Sequence, residues 1–245
     1  MILMRRFVLL TLLCLSYSAH SSTALFEHAQ AVSQTMSALY MQGLSEGNKK
    51  YEKDLESYKK KANVTLKAYY NEDPAQAEKL QASWGKLKDL VIISYTSDYG
   101  WDIDAEVRRD LRTYQADLYQ LSLIKKSKSL SEEVEYQFAL LQIESIIARF
   151  FDIASVYNGA LSLSNTELQR LDPVTISQEF KLSLDNLASS SSNNILAKKI
   201  LSAKNKWEFI EEGVVNYSNQ SAYFLVYATK KKIKEVLESG ISQLP

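Results

Sequence analysis

Residues 77–94 read AEKLQASWGKLKDLVIIS, and residues 200–217 read ILSAKNKWEFIEEGVVNY. In the first stretch Ala77, Leu80, Trp84, Leu87, Val91 and Ser94 advance by three, four, three, four and three. In the second, Ile200, Ala203, Trp207, Ile210, Val214 and Tyr217 advance identically, each 123 positions after its counterpart. Steps of three and four lay side chains along one face of an α-helix. Any packed helix shows such a stripe, but two tryptophans in register on it point to an internal duplication. The expected fold class is therefore all-α, built as two tandem antiparallel four-helix bundle repeats, because short connections set successive helices side by side. The first repeat is expected over 25–128 and the second over 129–245.

The rest of the chain reads the same way. Seven glycines and three prolines punctuate 245 residues, and apolar positions recur at three and four instead of two. Asp73-Pro74 reads as a helix start with proline in the first turn, and Ser131-Glu132-Glu133 as another with acids at the positive helix end. Breaks are expected at Gly43 to Gly47, Ser97 to Trp101, Lys125 to Ser131, Asp172-Pro173 and Ser189 to Asn194, which divides the chain into about eight helices.

Ahead of the first repeat, Arg5 and Arg6 precede the apolar run Phe7 to Leu15 and a small, polar stretch from Ser16 to Ala24. That order is expected of a secretory signal peptide over 1–24, with an apolar run too short to span a bilayer. Ser22-Thr23-Ala24 offers a cleavage site that makes Leu25 the first mature residue, with Ala19-His20-Ser21 as a rival. The single cysteine, Cys14, follows Leu12 and Leu13 instead of the small residue a lipoprotein signal needs, so the exported chain carries no thiol and no disulfide. About 220 remaining residues bury enough surface to fold without such staples.

The 29 Lys and Arg lose Arg5 and Arg6 with the signal, which leaves the exported chain with a net charge near −2 against 29 Asp and Glu. Neither nucleic acid nor an anionic membrane is favoured by that balance. The lysine runs 59–61, 125–128 and 230–232 have acids nearby and read as solvated helix faces. Asn63-Val64-Thr65, Asn216-Tyr217-Ser218 and Asn219-Gln220-Ser221 match the glycosylation pattern, which arises often by chance.

Chemistry is sparse. His20 and His28 are the only histidines, too few for a di-iron bundle or a zinc site. Adjacent acids such as Glu132-Glu133 and Glu211-Glu212 diverge by about 100° on a helix. The segment Asp98 to Asp104 lacks the alternating ligands of a calcium loop. The expectation is a protein that is not an enzyme and carries no cofactor or metal. Trp84 and Trp207 read as core anchors, whereas Trp101, in the turn Asp98 to Asp102, reads either as a lid folded onto the bundle or as an exposed recognition group. Glu135 to Tyr157 is the most apolar stretch after the signal, interrupted by Gln142, Glu144, Arg149 and Asp152. It reads as a buried central helix in which Arg149, three residues before Asp152, is positioned to pair within the helix.

Trp207-Glu208-Phe209-Ile210, with Tyr223, Val226 and the basic helix ending Ile233, Val236, Leu237, resembles the end of the N-terminal domain of type IV pili methyl-accepting chemotaxis transducers. Ser33-Gln34, Tyr40, Gln42, Gly43 and Leu44 are similar to the first helix of that domain. The domain is also similar to the sensing region of nitrate/nitrite sensor kinases, and it occurs in free-standing exported proteins as two tandem copies. The resemblance implies a periplasmic helical sensing or binding module linked to chemotaxis-transducer or pilus-like signalling, with Gln34, Tyr40, Gln142 and Arg149 as ligand-binding candidates. Two departures count against nitrate or nitrite as the ligand. Thr35 stands where the first copy would carry an arginine, and the stretch Ala139 to Arg149 keeps only Gln142, Ser145 and Arg149 as neutral polar or basic groups. The implied partner is a small ligand or a membrane-bound receptor or pilus component, without nucleic acid or stable membrane insertion. The competing reading is a structural or assembly protein of the bacterial envelope.

Overall fold

A computed structural model describes residues 23–96, 100–156, 170–216 and 222–244. The signal-peptide expectation falls almost wholly outside them, as do Tyr217, the triplet beginning at Asn219 and the first two residues of the Asp98 turn. Among the described residues the chain is all-α, with eight helices and one short hairpin. The helices are α1 (Ala24–Leu44), α2 (Lys49–Tyr70), α3 (Pro74–Leu87), α4 (Ala105–Lys126), α5 (Glu132–Ala154), α6 (Pro173–Ser190), α7 (Asn194–Val215) and α8 (Tyr223–Ile241). The hairpin pairs β1 (Ser94–Thr96) with β2 (Gly100–Asp102), with Tyr95 opposite Trp101.

Side-chain oxygens set most helix starts by accepting otherwise unpaired backbone N–H groups. Asn48 caps α2, Asp73 caps α3 ahead of Pro74, Asp104 caps α4, Asp172 caps α6 ahead of Pro173, and Asn193 caps α7. Helix α5 instead opens on Glu132, Glu133 and Glu135, whose charges favour the positive helix end. The expected breaks at 43–47, 125–131, 172–173 and 189–194 fall at connections between helices, overlapping the helix ends by one or two residues; the one at 97–101 overlaps β2, and residue 128 lies between α4 and α5.

Helices α1 to α4 pack in a ring, each against the next and α4 against α1, and α5 to α8 close a second ring in the same order. Neighbours run antiparallel: the α1 start meets the α2 end, where Ala24 N donates to Glu72 Oε1 over 3.2 Å. Both rings contribute to one continuous apolar core. They join through α1 and α5, which lie parallel and in a fixed register. Phe26 meets Phe138 edge to face, with ring centroids 6.3 Å apart, and Ser33 Oγ lies 3.5 Å from Ser145 Oγ. Both pairs are 112 residues apart, so the two helices run side by side in the same direction along this seam.

The tryptophan stripes are buried on both sides. Trp84 is 2% exposed and Trp207 is 0% exposed, and Ala77, Leu80, Leu87 and Val91 are buried like Ile200, Ala203, Ile210 and Val214. The helical register ends earlier in the first stripe than its spacing predicts. Helix α3 stops at Leu87, and Ser94 opens β1, whereas α7 continues to Val215. The β-branched run Val91-Ile92-Ile93 favours extended backbone over helix at this point. The hairpin carries Trp101 onto α1, where its ring occupies the space a Cβ at Gly43 would need. Trp101 is thus the lid of the two alternatives its turn position allowed, packed against the core.

Candidate functional site

Helices α1 and α5 are surrounded by other helices and are buried over nearly their whole lengths. Their polar residues must therefore find partners inside the protein. They do so in layers along the α1–α5 seam. Gln30 Nε2 donates to both Gln137 O and Gln137 Oε1 at 2.8 Å. Gln115 of α4 donates to Ser33 Oγ over 3.1 Å. Gln34 Nε2 donates to Glu144 Oε1 over 2.9 Å, and Lys230 Nζ of α8 donates to the other Glu144 oxygen over 2.8 Å. Gln34 Oε1, Ser37 Oγ and Gln115 Oε1 have no hydrogen-bond partner among the described residues, so the seam is not fully satisfied.

At the far end of the seam, Asp152 binds two arginines of α4. Arg108 Nη1 lies 2.8 Å from Asp152 Oδ1, and Arg112 Nε lies 2.5 Å from Asp152 Oδ2. Arg108 also donates to Ser155 Oγ over 2.8 Å and stacks its guanidinium 5.0 Å from the Tyr40 ring centroid. All three charged side chains are buried. Burial, then the Asp152 charge, pushes the Tyr40 hydroxyl well above the usual phenol range, so it stays protonated.

The Glu144–Lys230 pair forms the floor of a cleft of about 260 Å³ between α2, α5 and α8. Its walls hold cations (Lys50, Lys231, Lys234) and carboxylates (Asp54, Glu235, Glu238) together with Tyr58 and Tyr227. Tyr227 donates to Asp54 Oδ2 over 3.0 Å, and burial followed by Glu144 and Asp54 pushes the Tyr58 hydroxyl up to about 12. Both phenols are thus neutral donors near pH 7. The cleft joins the two rings, since α2 belongs to the first and α8 to the second.

All four sequence-predicted candidates are buried in or beside this seam. Gln34 lies under the cleft through its bond to Glu144, and Tyr40 lies at the arginine end. Gln142 turns toward α6, where Ser183 Oγ donates to its Oε1 over 3.2 Å, and Arg149 is buried on α5. Gln34, Tyr40 and Gln142 share no hydrogen-bond partner among the described residues, so no single pocket gathers them. Asp152, expected to face Arg149 along its own helix, is held from α4 by Arg108 and Arg112. The sequence carries a signal for that pair: Arg108 and Arg112 are four residues apart, on one face of α4. Nothing local marks Lys230 as the mate of Glu144, because its run of three lysines reads as solvent-facing.

His28 is a core group. Its Nδ1 lies 2.9 Å from Ala62 O and must carry the proton to donate there, which leaves Nε2 to accept from the Tyr114 hydroxyl at 2.8 Å. Among the described residues no three His, Cys, Asp or Glu side chains are placed to hold a metal ion, and no helix is long and apolar enough to cross a membrane. Compared with protein-family models, with curated proteins and with solved structures, the chain finds no match.

Proposed function

We propose that the protein is an exported, periplasmic sensing or binding module that takes a small polar ligand at the junction of its two helical rings. The observation that carries this reading is the cleft over Glu144 and Lys230. It places both signs of charge and two neutral phenols around one space, and its floor pair belongs to the seam that joins the rings. A ligand that engages α2 and α8 together changes how the rings bear on each other, which is the means by which a helical module passes a signal to a membrane-bound partner. The resemblance of Trp207 to Ile210 and of Ser33 to Leu44 to chemotaxis-transducer N-terminal domains supports the same class. No catalytic step enters the proposal.

The test is a thermal-shift screen of the exported chain against inorganic anions, amino acids and nucleotides, with Lys231→Gln and Glu235→Gln as cleft variants. A ligand that binds only the folded state raises the melting temperature by mass action. The expected result is a shift for one polar class that both variants diminish; a flat response across all classes overturns the reading. N-terminal sequencing of the fractionated protein is expected to find Leu25 first in the periplasm.

A second reading has its own observation. Phe209 and Leu225 are 74% and 49% exposed along the α7–α8 groove, and exposed apolar groups of that size mark protein-contact faces. They favour an envelope assembly role. Cross-linking in cells through Phe209 separates the two, because assembly requires a stoichiometric partner there.

A further inference from the structure

The duplication supplies an internal comparison. In the second ring the faces of α6 and α7 beside Trp207 are bridged by charge. Lys181 donates to Glu211 Oε2 over 2.9 Å, Ser177 donates to Glu211 Oε1, and Lys204 donates to Asp185 over 2.7 and 2.8 Å. Trp207 Nε1 joins this network by donating to Ser177 Oγ over 3.0 Å. The displacement of 123 that maps Trp84 onto Trp207 also maps Gln81 onto Lys204, Gly85 onto Glu208 and Lys88 onto Glu211. At each of these positions a charged group in the second ring replaces a neutral or oppositely charged one in the first.

The first ring accordingly keeps an open groove of about 560 Å³ between α2 and α3. Leu66, Tyr70 and Trp84 give it apolar surface. Lys67 and Lys88 are its only charged lining residues, and neither makes an ion pair or side-chain hydrogen bond among the described residues. Asn63 Oδ1 accepts from Trp84 Nε1 at 2.8 Å, which fixes the amide orientation and leaves its nitrogen as a donor without a partner there. A Cβ built on Gly85 meets no atom within 4 Å, so this side of α3 is open. Lys67 lies in the last turn of α2, where the helix dipole favours a cation. That accounts for its sign, but not for the lack of any carboxylate across a groove whose counterpart is bridged by two, Glu211 and Asp185.

We propose that the α2–α3 groove is a binding site for a small organic anion with an apolar, planar body, of the aryl carboxylate class. The carboxylate lies between Lys67 and Lys88, and the body rests on Leu66 and Tyr70. The groove is of the size that encloses such a ligand, with the few convergent polar groups that orient it. The site is separate from the junction cleft and does not depend on it.

The experiment titrates 1-naphthoate, and separately its neutral amide, into the full exported chain by calorimetry at low and high salt. The expected result is saturable naphthoate binding at least about tenfold tighter than the amide, with that advantage lost in the Lys67→Gln/Lys88→Gln double variant and weakened by salt. Gly85→Leu fills the groove while improving helix propensity, so it is expected to melt no lower than the parent and to lose naphthoate. Equal binding of acid and amide, parental affinity in both variants, or no saturation at millimolar naphthoate each overturns the proposal.

Discussion

Replacing His28 with glutamine removes a buried imidazole from the first ring's core while keeping a donor for Ala62 O and an acceptor for the Tyr114 hydroxyl. The effect is in the pH dependence. Burial holds the folded-state pKa of His28 down from 6.5 to about 4, opposed by the hydrogen bond to Ala62. Above pH 6.5 the imidazole is neutral in both states and contributes no pH dependence. As the pH falls below 6.5 the unfolded chain takes the proton first, so stability declines and goes on declining until the folded-state value near 4 is passed. The full loss is about 3 kcal/mol, of which about 2 kcal/mol is reached at pH 5. Urea unfolding of parent and His28→Gln near pH 7.5 and pH 5 isolates this contribution, because every other titrating group is common to both. The parent is expected to lose about 2 kcal/mol more than the variant between the two conditions. Parallel losses, within about 0.3 kcal/mol, would refute the claim that a desolvated, neutral imidazole anchors this core.

Three further outcomes follow from the packing. Trp84→Ala and Trp207→Ala are each expected to cost about 3 to 5 kcal/mol in equilibrium unfolding, since both indoles are buried; losses of a few tenths would place them at the surface. Asp152→Ala leaves Arg108 and Arg112 buried without their carboxylate and is expected to cost about 3 to 5 kcal/mol, while Arg109→Ala, on the exposed side of α4, costs under about 1 kcal/mol; equal costs would deny the buried triad. Gly43→Ala puts a methyl group where the Trp101 ring lies and is expected to lift the hairpin, seen as a red shift of tryptophan emission that a Trp101→Phe background abolishes; an unchanged spectrum would mean that Trp101 does not rest on α1.

Much of the fold was legible because helix formation leaves local marks. Asp73-Pro74 and the acids after Ser131 announce helix starts through groups within one turn and were readable as such, while Asp172-Pro173, readable as a break, also caps and opens α6. The tryptophan stripes were readable because a buried face repeats with the helix period whatever it packs against. The hairpin was not legible: Val91 continues the stripe and stays buried, so its burial does not betray that the helix has already ended at Leu87. Among the candidate residues, Gln34 lies under the cleft and Tyr40 at the arginine end of the seam, but neither their partners nor the cleft was legible in the sequence.

The sequence by itself determined the all-α class, most of the places where the helices begin and break, and the burial of Trp84 and Trp207, because those properties depend on spacing, capping and side-chain polarity over a few turns. Only the tertiary structure decided which charges meet. Glu144 reaches Lys230 across 86 residues and Asp152 reaches Arg108 across 44, and such pairs are set by which helix faces the ring geometry brings together. The parallel register of α1 on α5 is of the same kind. Phe26 and Ser33 find Phe138 and Ser145 because two similar rings meet face to face, and no local pattern in either helix specifies the direction or register of that meeting.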